Sequence, residues 1–160
     1  PIRNQYPQTD RRLTVDPITM VLEEQVTARG HDNVSAAHES TFELTTDDFL
    51  TPAGDCILGI EADRAPADFD PAFVDACQDE TATIEARISV DGRTTTITGR
   101  GDPDLSFEND RSLVGRTSTY VDDRTIMVDA DAAAADIDRD LVESLQEGAT
   151  VELRLRVERG

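Results

Sequence analysis

The sequence has no lysine and no tryptophan, and its other aromatic side chains are scarce. Among 160 residues there are two tyrosines and five phenylalanines, and all fifteen basic residues are arginines, set against 34 acidic residues. So few aromatics form no stacking platform for single-stranded nucleic acid, and the chain has no basic stripe to attract a polyanion. These absences argue against direct nucleic-acid binding and against an anionic membrane surface as a partner.

The formal net charge of −19 can be explained by the solvent rather than by a partner. In molar salt the Debye length falls to about 3 Å, so surface carboxylates repel one another little while they hold water and cations. Salt also strengthens the burial of apolar groups, so a core with few large side chains suffices. The composition therefore predicts a haloarchaeal protein that works in a potassium-rich environment.

Cysteine is also rare, and Cys56 and Cys77 are too few to form a disulfide framework. No stretch reaches the roughly 18 apolar residues of a membrane helix. The N-terminus lacks the charged start, apolar centre and small-residue cleavage site of a signal peptide. We therefore expect a cytoplasmic protein with no membrane partner.

Residues 1–20 are polar, contain three prolines and show no periodicity. Such a segment is typical of a disordered leader. Met20 directly precedes the first patterned segment, so translation could start there and leave the leader outside the native protein. Residues 21–160 have the length of a single domain.

An internal repeat divides residues 21–160 into halves of about 22–92 and 93–160. The matching pairs are VTARGHDNVSAAHEST (from 26) with ITGRGDPDLSFENDRS (from 97), GIEADRAPADFDPAFVDACQ (from 59) with MVDADAAAADIDRDLVESLQ (from 127), and ATIEARISV (from 82) with ATVELRLRV (from 149). Three matches in the same order predict two copies of one structural unit.

Each copy is predicted to form three strands, a helix and a final strand. The third strands cover 56–62 and 125–130, and aspartates at 70 and 138 are natural N-caps for the helices. Asp91-Gly92 predicts a tight hairpin between the copies. In the second strand of the first copy, alternation places these residues on one inward face: Val34, Ala36, His38, Ser40, Phe42 and Leu44.

The fold class is therefore mainly β with two helices, an α+β arrangement. Eight strands with inward alternation could close into a barrel, which removes exposed edges. Two related halves with one helix each favour a pseudo-two-fold barrel of the double-psi or cradle-loop type. The alternative is an open two-layer sheet with both helices on one face.

Several of these segments resemble the archaeal domain of unknown function 371 family. They are RGHDNVSAAHESTFELT, LTPAGDCILGIEAD, GRGDPDL and VDADAAAADIDRDLVESLQEG, and the resemblance covers about residues 22–158. It implies a small archaeal domain that stands alone, with no assigned activity. In that family the second Arg-Gly turn often carries histidine where this chain has Asp102, so a histidine-based role at that turn is in doubt.

The two histidines lie in one short segment, His31 in a polar turn and His38 on the predicted inward face. Asp55 and Cys56 begin the third strand, and a compact unit could bring them near both histidines. Imidazole and thiolate are suitable ligands for zinc or a similar ion. No paired CxxC or HxxxH spacing occurs, so a metal site at His31, His38 and Cys56 is only weakly indicated, and core roles for His38 and Cys56 remain open.

The matched turns RGHDN and RGDPD each combine an arginine, a glycine and polar side chains. Glycine allows a ligand to approach the backbone closely, and arginine can clamp a carboxylate or phosphate with two nitrogens. If the two turns met in one groove, an anionic small molecule could bind between Arg29 and Arg100. Simple ion pairing within each turn is the alternative. Asp102 and a third possible clamp, Arg116, complete the candidates.

Two functions follow from these features. The first is binding of a small anionic ligand or metal near the RGHDN turn, with a site at Arg29, His31, Asn33, His38, Asp55 and Cys56. The second is a non-catalytic interaction or adaptor domain, which could be associated with RNA or translation. No nucleophile motif, phosphate loop or dinucleotide fingerprint occurs, so catalysis and cofactors are left unassigned.

Overall fold

The computed structural model describes residues 13–16 and 21–160, which contain nine strands and two α-helices. The strands are β1 (Leu13–Asp16), β2 (Val21–Arg29), β3 (Thr41–Thr45), β4 (Ile57–Gly59), β5 (Thr83–Val90), β6 (Arg93–Arg100), β7 (Ser112–Arg116), β8 (Thr125–Met127) and β9 (Thr150–Glu158). The helices are α1 (Pro71–Cys77) and α2 (Arg139–Gln146), preceded by the short 3₁₀ turns Pro66–Asp68 and Ala134–Asp136. The prediction of a mainly β protein with two helices is confirmed.

The strands form two sheets. One has five strands in the order β1-β2-β9-β5-β6, and all of its neighbours are antiparallel. The other has four strands in the order β4-β3-β7-β8, with an antiparallel central pair and a parallel strand on each side. Both helices contact the five-stranded sheet, α1 through β2 and β9 and α2 through β5.

The predicted closed barrel is wrong for the residues that the structure describes. The third strands were expected over 56–62 and 125–130, but β4 and β8 are only three residues long and have a register shift beside each. Strands this short cannot continue the pairing around to the other sheet. Among the described residues, the two sheets are joined only by isolated bridges, Arg29 with Ile60 and Arg100 with Val128. The open-sheet alternative fits this arrangement.

The predicted second strand, covering 34–44, is reduced to β3. Ala36 adopts a left-handed backbone with φ 46°, which an extended strand cannot accommodate. The side chain of Arg139 also binds the carbonyl oxygens of Ser35 and Ala36, which fixes this loop against α2. Val34 and Phe42 still face the core, as predicted, but His38 is half-buried.

The local signals for turns and helix starts are confirmed. The side chain of Asp70 accepts a hydrogen bond from the N–H of Ala72, and Asp138 does the same for Asp140. Asp91 and Gly92 both have positive φ, 49° and 79°, as a two-residue hairpin turn requires.

The two halves have the same order of elements and many matching hydrogen bonds. The N–H of Thr27 binds the side chain of Asp63, and the N–H of Thr98 binds that of Asp131. The strands of the halves also pair across: β2 and β5 both lie beside β9, and β3 lies beside β7. A shared core therefore forms between the halves.

The first half alone contains a buried ion pair. The Glu24 and Arg64 side chains are 2.7 Å apart, and both are almost fully buried. The second carboxylate oxygen of Glu24 accepts the N–H of Asp70, the N-cap of α1. The matching positions in the second half are Thr95 and Ala132, which carry no charge.

Most of the segment predicted to be a disordered leader lies outside the described residues. Within it, β1 pairs antiparallel with the first part of β2, so these four residues have a regular backbone.

Candidate functional site

The two Arg-Gly turns lie at opposite ends of the five-stranded sheet. Arg29 is opposite Thr150 at the start of β9, whereas Arg100 is opposite Thr83, which is itself opposite Glu158 at the end of β9. The eight steps of β9 from Thr150 to Glu158, at about 3.3 Å per residue, put roughly 26 Å between the two ends. The hypothesis that both turns meet in one groove is therefore wrong, because β2 and β6 run in opposite directions.

Each arginine of these turns is paired within its own half. Arg29 binds both oxygens of Glu61, at 2.8 and 3.1 Å, and this pairing raises the pKa of Arg29 and lowers that of Glu61. Arg100 lies 2.6 Å from Asp129 and 3.7 Å from Asp102. Simple ion pairing thus accounts for both guanidinium groups and for Asp102.

The glycines of these turns approach helix ends. A Cβ on Gly30 would collide with the carbonyl oxygen of Leu145 in α2, and one on Gly101 would collide with that of Cys77 in α1. Neither glycine has a positive φ. Close packing, rather than turn conformation or ligand access, is the observed reason for the glycines.

His31 and Asn33 fix the loop that follows the first turn. The Nδ1 atom of His31 lies 3.0 Å from the N–H of Asn33 and 3.0 Å from a carboxylate oxygen of Asp32. The side-chain amide of Asn33 donates to the carbonyl oxygen of Leu50 at 2.7 Å. All these contacts are local or reach one neighbouring loop.

His38 and Asp55 meet through the backbone. The carbonyl oxygen of Asp55 accepts the N–H groups of Ala37 and His38. The Nδ1 atom of His38 accepts the N–H groups of Ser40 and Thr41 at 3.2 Å each, so the ring caps the start of β3. The imidazole therefore has a structural partner, although not the core position that alternation predicted.

Cys56 donates from its thiol to Glu43 at 3.3 Å. Burial, followed by the nearby charge of Glu43, raises the pKa of Cys56 to about 12, so the thiol is protonated at neutral pH. Among the side chains that the structure describes, no group of three His, Cys, Asp or Glu is placed to hold a metal ion. The arrangement gives the suggested His31, His38 and Cys56 metal site no support.

A cavity of about 280 Å³ lies on the outer face of the four-stranded sheet. Its charged lining comes from Glu43, Asp47, Arg111 and Arg124, and the side chain of Phe49 forms an apolar wall that is 55 % exposed. Arg111 binds Asp47 with two nitrogens at 2.8–3.1 Å, which holds the pKa of Asp47 below its ordinary value.

Two arginines line the cavity, Arg111 and Arg124, and Arg116 lies next to Arg124; we call these three residues the arginine row. Arg116 and Arg124 share one carboxylate oxygen of Asp122, at 3.0 and 3.2 Å. Partial burial alone would raise the pKa of Asp122, but its hydrogen bonds and these two positive charges outweigh burial and lower it. The guanidinium carbon of Arg116 also lies 4.9 Å from the ring centre of Tyr120.

The sequence predicted Arg116 as a clamp but missed Arg111, Arg124 and their acidic partners. One signal was available in the repeat. Equivalent backbone hydrogen bonds align Arg111 with Ser40 and Arg124 with Cys56, so the second half carries positive charge where the first half does not. Departures from an otherwise regular repeat could have indicated this face.

No helix in the described part of the chain has the length and apolar character to span a membrane. The family model for DUF371, a domain of unknown function, matches residues 26–158. The uncharacterised protein MJ0206 of Methanocaldococcus jannaschii is 42% identical over 123 residues, which cover 77% of this chain and 90% of the relative. The chain therefore belongs to the DUF371 family, and it has a relative in an archaeon.

Proposed function

We propose that this protein binds a small anionic molecule in the cavity beside the arginine row. The supporting observation is that Arg116 and Arg124 share the single carboxylate of Asp122, so these two guanidinium groups have one ion-pair partner between them. Arg124 lines the cavity with 40% of its side chain exposed, which leaves it free to turn toward a ligand. Guanidinium groups bind carboxylate and phosphate groups with two parallel hydrogen bonds.

The other residues that line the cavity indicate which further groups the ligand carries. Glu43 and Asp47 can accept hydrogen bonds from ligand donors, and Phe49 can cover an apolar portion. The volume of about 280 Å³ limits the occupant to a small metabolite. A site at the RGHDN turn is less favoured, because the Arg29 guanidinium already donates two hydrogen bonds to the carboxylate of Glu61.

The test is to purify the protein from a haloarchaeal host in molar KCl and identify co-purifying small molecules by mass spectrometry. Arg124→Gln is compared with Arg159→Gln, which removes the same charge from an exposed pair with Asp75. We expect a stoichiometric anion that is lost in Arg124→Gln and kept in Arg159→Gln. A ligand that survives in both folded variants, or none in the wild type, would contradict this function. Elemental analysis of the same samples tests the His31 and Cys56 metal hypothesis.

A second candidate function, as an interaction or adaptor domain, is supported by two exposed aromatics. Phe49 and Tyr120 are 55% and 60% exposed, and each follows one of the two central strands of the four-stranded sheet. Contiguous exposed apolar surface is typical of interaction sites, and these two rings are the large apolar side chains that the described residues leave exposed. This function predicts a protein partner that stays bound in high salt and is released by Phe49→Ser with Tyr120→Ser.

We also infer a potassium-rich cytoplasmic setting and an origin by internal duplication. The net charge of −19 supports the first, and the matching hydrogen bonds of the two halves support the second. Unfolding in increasing KCl tests the setting. We expect the free energy of unfolding to rise toward molar KCl, since salt screens the carboxylates and strengthens apolar burial.

A further inference from the structure

The exposed face of the five-stranded sheet places two arginines directly opposite each other. Arg87 on β5 faces Arg154 on β9, and Gln25 on β2 and Thr96 on β6 flank them in the same cross-strand row. Arg87 and Arg154 are both exposed. Among the described residues, this row contains two positive charges and no acidic residue, in a chain whose net charge is −19.

The neighbouring row differs, because its arginine has acidic partners. Arg156 lies 2.9 Å from Glu23 and 3.9 Å from Glu85. Glu85 also binds Arg87, at 2.9 Å. In the part of the chain that the structure describes, no carboxylate lies within 4.0 Å of the Arg154 guanidinium. Like charges directly opposite each other destabilise a sheet, so this pair has an electrostatic cost in the absence of a bound anion.

The pair borders a cavity of about 190 Å³ that is large enough for a small anion. Gln25, Ser89 and Thr94 supply neutral polar groups around it, and the Ser89 and Thr94 hydroxyl groups are held 3.0 Å apart. Glu152 also lines this cavity. A carboxylate beside two guanidinium groups favours an anion that carries its own proton donor.

We propose that Arg87 and Arg154 clamp a phosphate group on this face, at a site separate from the arginine row. The two guanidinium groups would bind phosphate oxygens, and a ligand hydroxyl group would donate to Glu152. In inorganic phosphate this hydroxyl is the one that hydrogen phosphate keeps at neutral pH, and in a monoester it belongs to the alcohol part. The ligand class is inorganic phosphate or a small phosphate monoester. Large polyanions are repelled by the surrounding acidic surface.

The test uses NMR of the arginine Nε–H groups in chloride buffer, at the lowest KCl concentration that keeps the wild type folded. Inorganic phosphate and glycerol 3-phosphate are titrated separately into the wild type, Arg154→Gln and the charge-matched control Arg159→Gln. We expect saturable shifts of the Arg87 and Arg154 signals in the wild type and in the control. Affinity should fall at least tenfold in Arg154→Gln.

Thermal unfolding of the same proteins gives a second measurement. Without phosphate, Arg154→Gln is expected to unfold at or above the wild-type temperature, since the like-charge contact is relieved. Saturating phosphate should raise the unfolding temperature of the wild type and of Arg159→Gln more than that of Arg154→Gln. Binding by inorganic phosphate alone would assign the site to free phosphate, and tighter binding of glycerol 3-phosphate would assign it to a monoester. Unchanged affinity in Arg154→Gln, or shifts that never saturate, would overturn the proposal.

Discussion

His38 and Asn109 have the same capping role at equivalent positions of the two halves. The Nδ1 atom of His38 accepts the N–H groups of Ser40 and Thr41, and the Oδ1 atom of Asn109 accepts those of Arg111 and Ser112. Each side chain supplies one acceptor to two N–H groups at the start of a central strand. An imidazole and an amide are interchangeable in this role.

We therefore expect His38→Asn to keep nearly the full free energy of unfolding. His38→Ala leaves the Ser40 and Thr41 N–H groups without this acceptor and should cost about 1 kcal/mol. Chemical denaturation followed by circular dichroism measures both, with Asn109→Ala as the matched variant of the second half. A ligand or activity lost in a stable His38→Asn protein would show that the ring has a role beyond capping.

The ion pair of Asp47 with Arg111 should make stability depend on pH in the acid range. Because the hydrogen bond from Arg111 lowers the folded-state pKa of Asp47 below its ordinary 3.8, the pair stabilises the fold fully above about pH 5. That stabilisation is lost as the pH falls through the folded-state pKa. The free energies of unfolding of the wild type and Asp47→Asn should therefore differ by up to about 1 kcal/mol at pH 7, and this difference should shrink as the pH falls below 3.8. A constant difference across this range would contradict the ion-pair explanation.

The buried Glu24–Arg64 pair predicts a strongly non-additive double mutant. Arg64→Ala leaves the Glu24 carboxylate buried beside Asp70 and should cost about 3–5 kcal/mol. Adding Glu24→Thr gives the first half the same uncharged residues that the second half has at these positions. We expect the double variant to be more stable than Arg64→Ala alone, as measured by denaturation in stabilising KCl. A double variant with the summed cost of both singles would show that the pair is not coupled.

The packing of Gly30 against α2 can be tested by one methyl group. Gly30→Ala places a Cβ on the carbonyl oxygen of Leu145. This oxygen belongs to the backbone, so it cannot rotate away as the end of a side chain could. The cost should be about 3 kcal/mol, at the upper end for overpacking. Thermal unfolding measures the loss, and Asp32→Ala, at an exposed position two residues away, is the control. An unchanged unfolding temperature in Gly30→Ala would show that the turn has room to move.

The features that the sequence predicted correctly depend on local chemistry. The aspartate caps at 70 and 138 and the Asp91-Gly92 hairpin need only their immediate neighbours, and the structure has all three. The barrel needed strands long enough to pair around a closed circuit. Residues 56–62 are apolar enough for a strand, but their apolar character does not determine how many of them find a partner, and only Ile57–Gly59 form β4.

The site was predicted less well, because it depends on how the halves pair. The Arg29 and Arg100 turns match in sequence, yet antiparallel pairing through β9 and β5 sends them to opposite ends of one sheet. The arginine row draws its members from β7 and the loops at either end of it. The approach of Arg116 to Arg124 depends on the carboxylate of Asp122 that they share. No pattern of residue spacing in a single sequence predicts that these arginines come together.

The cross-pairing of the halves has a consequence for the folding of the chain. Residues 22–92 contain β2 and β5, but both strands take hydrogen bonds from β9, and β3 has its central partner in β7. A fragment ending at the hairpin would therefore expose open strand edges on both of its sheets. Two copies of that fragment could pair their open strand edges with each other, as the two halves do, and so form an intertwined homodimer. In the single chain, the Asp91-Gly92 turn makes that association intramolecular, so the halves assemble at any protein concentration.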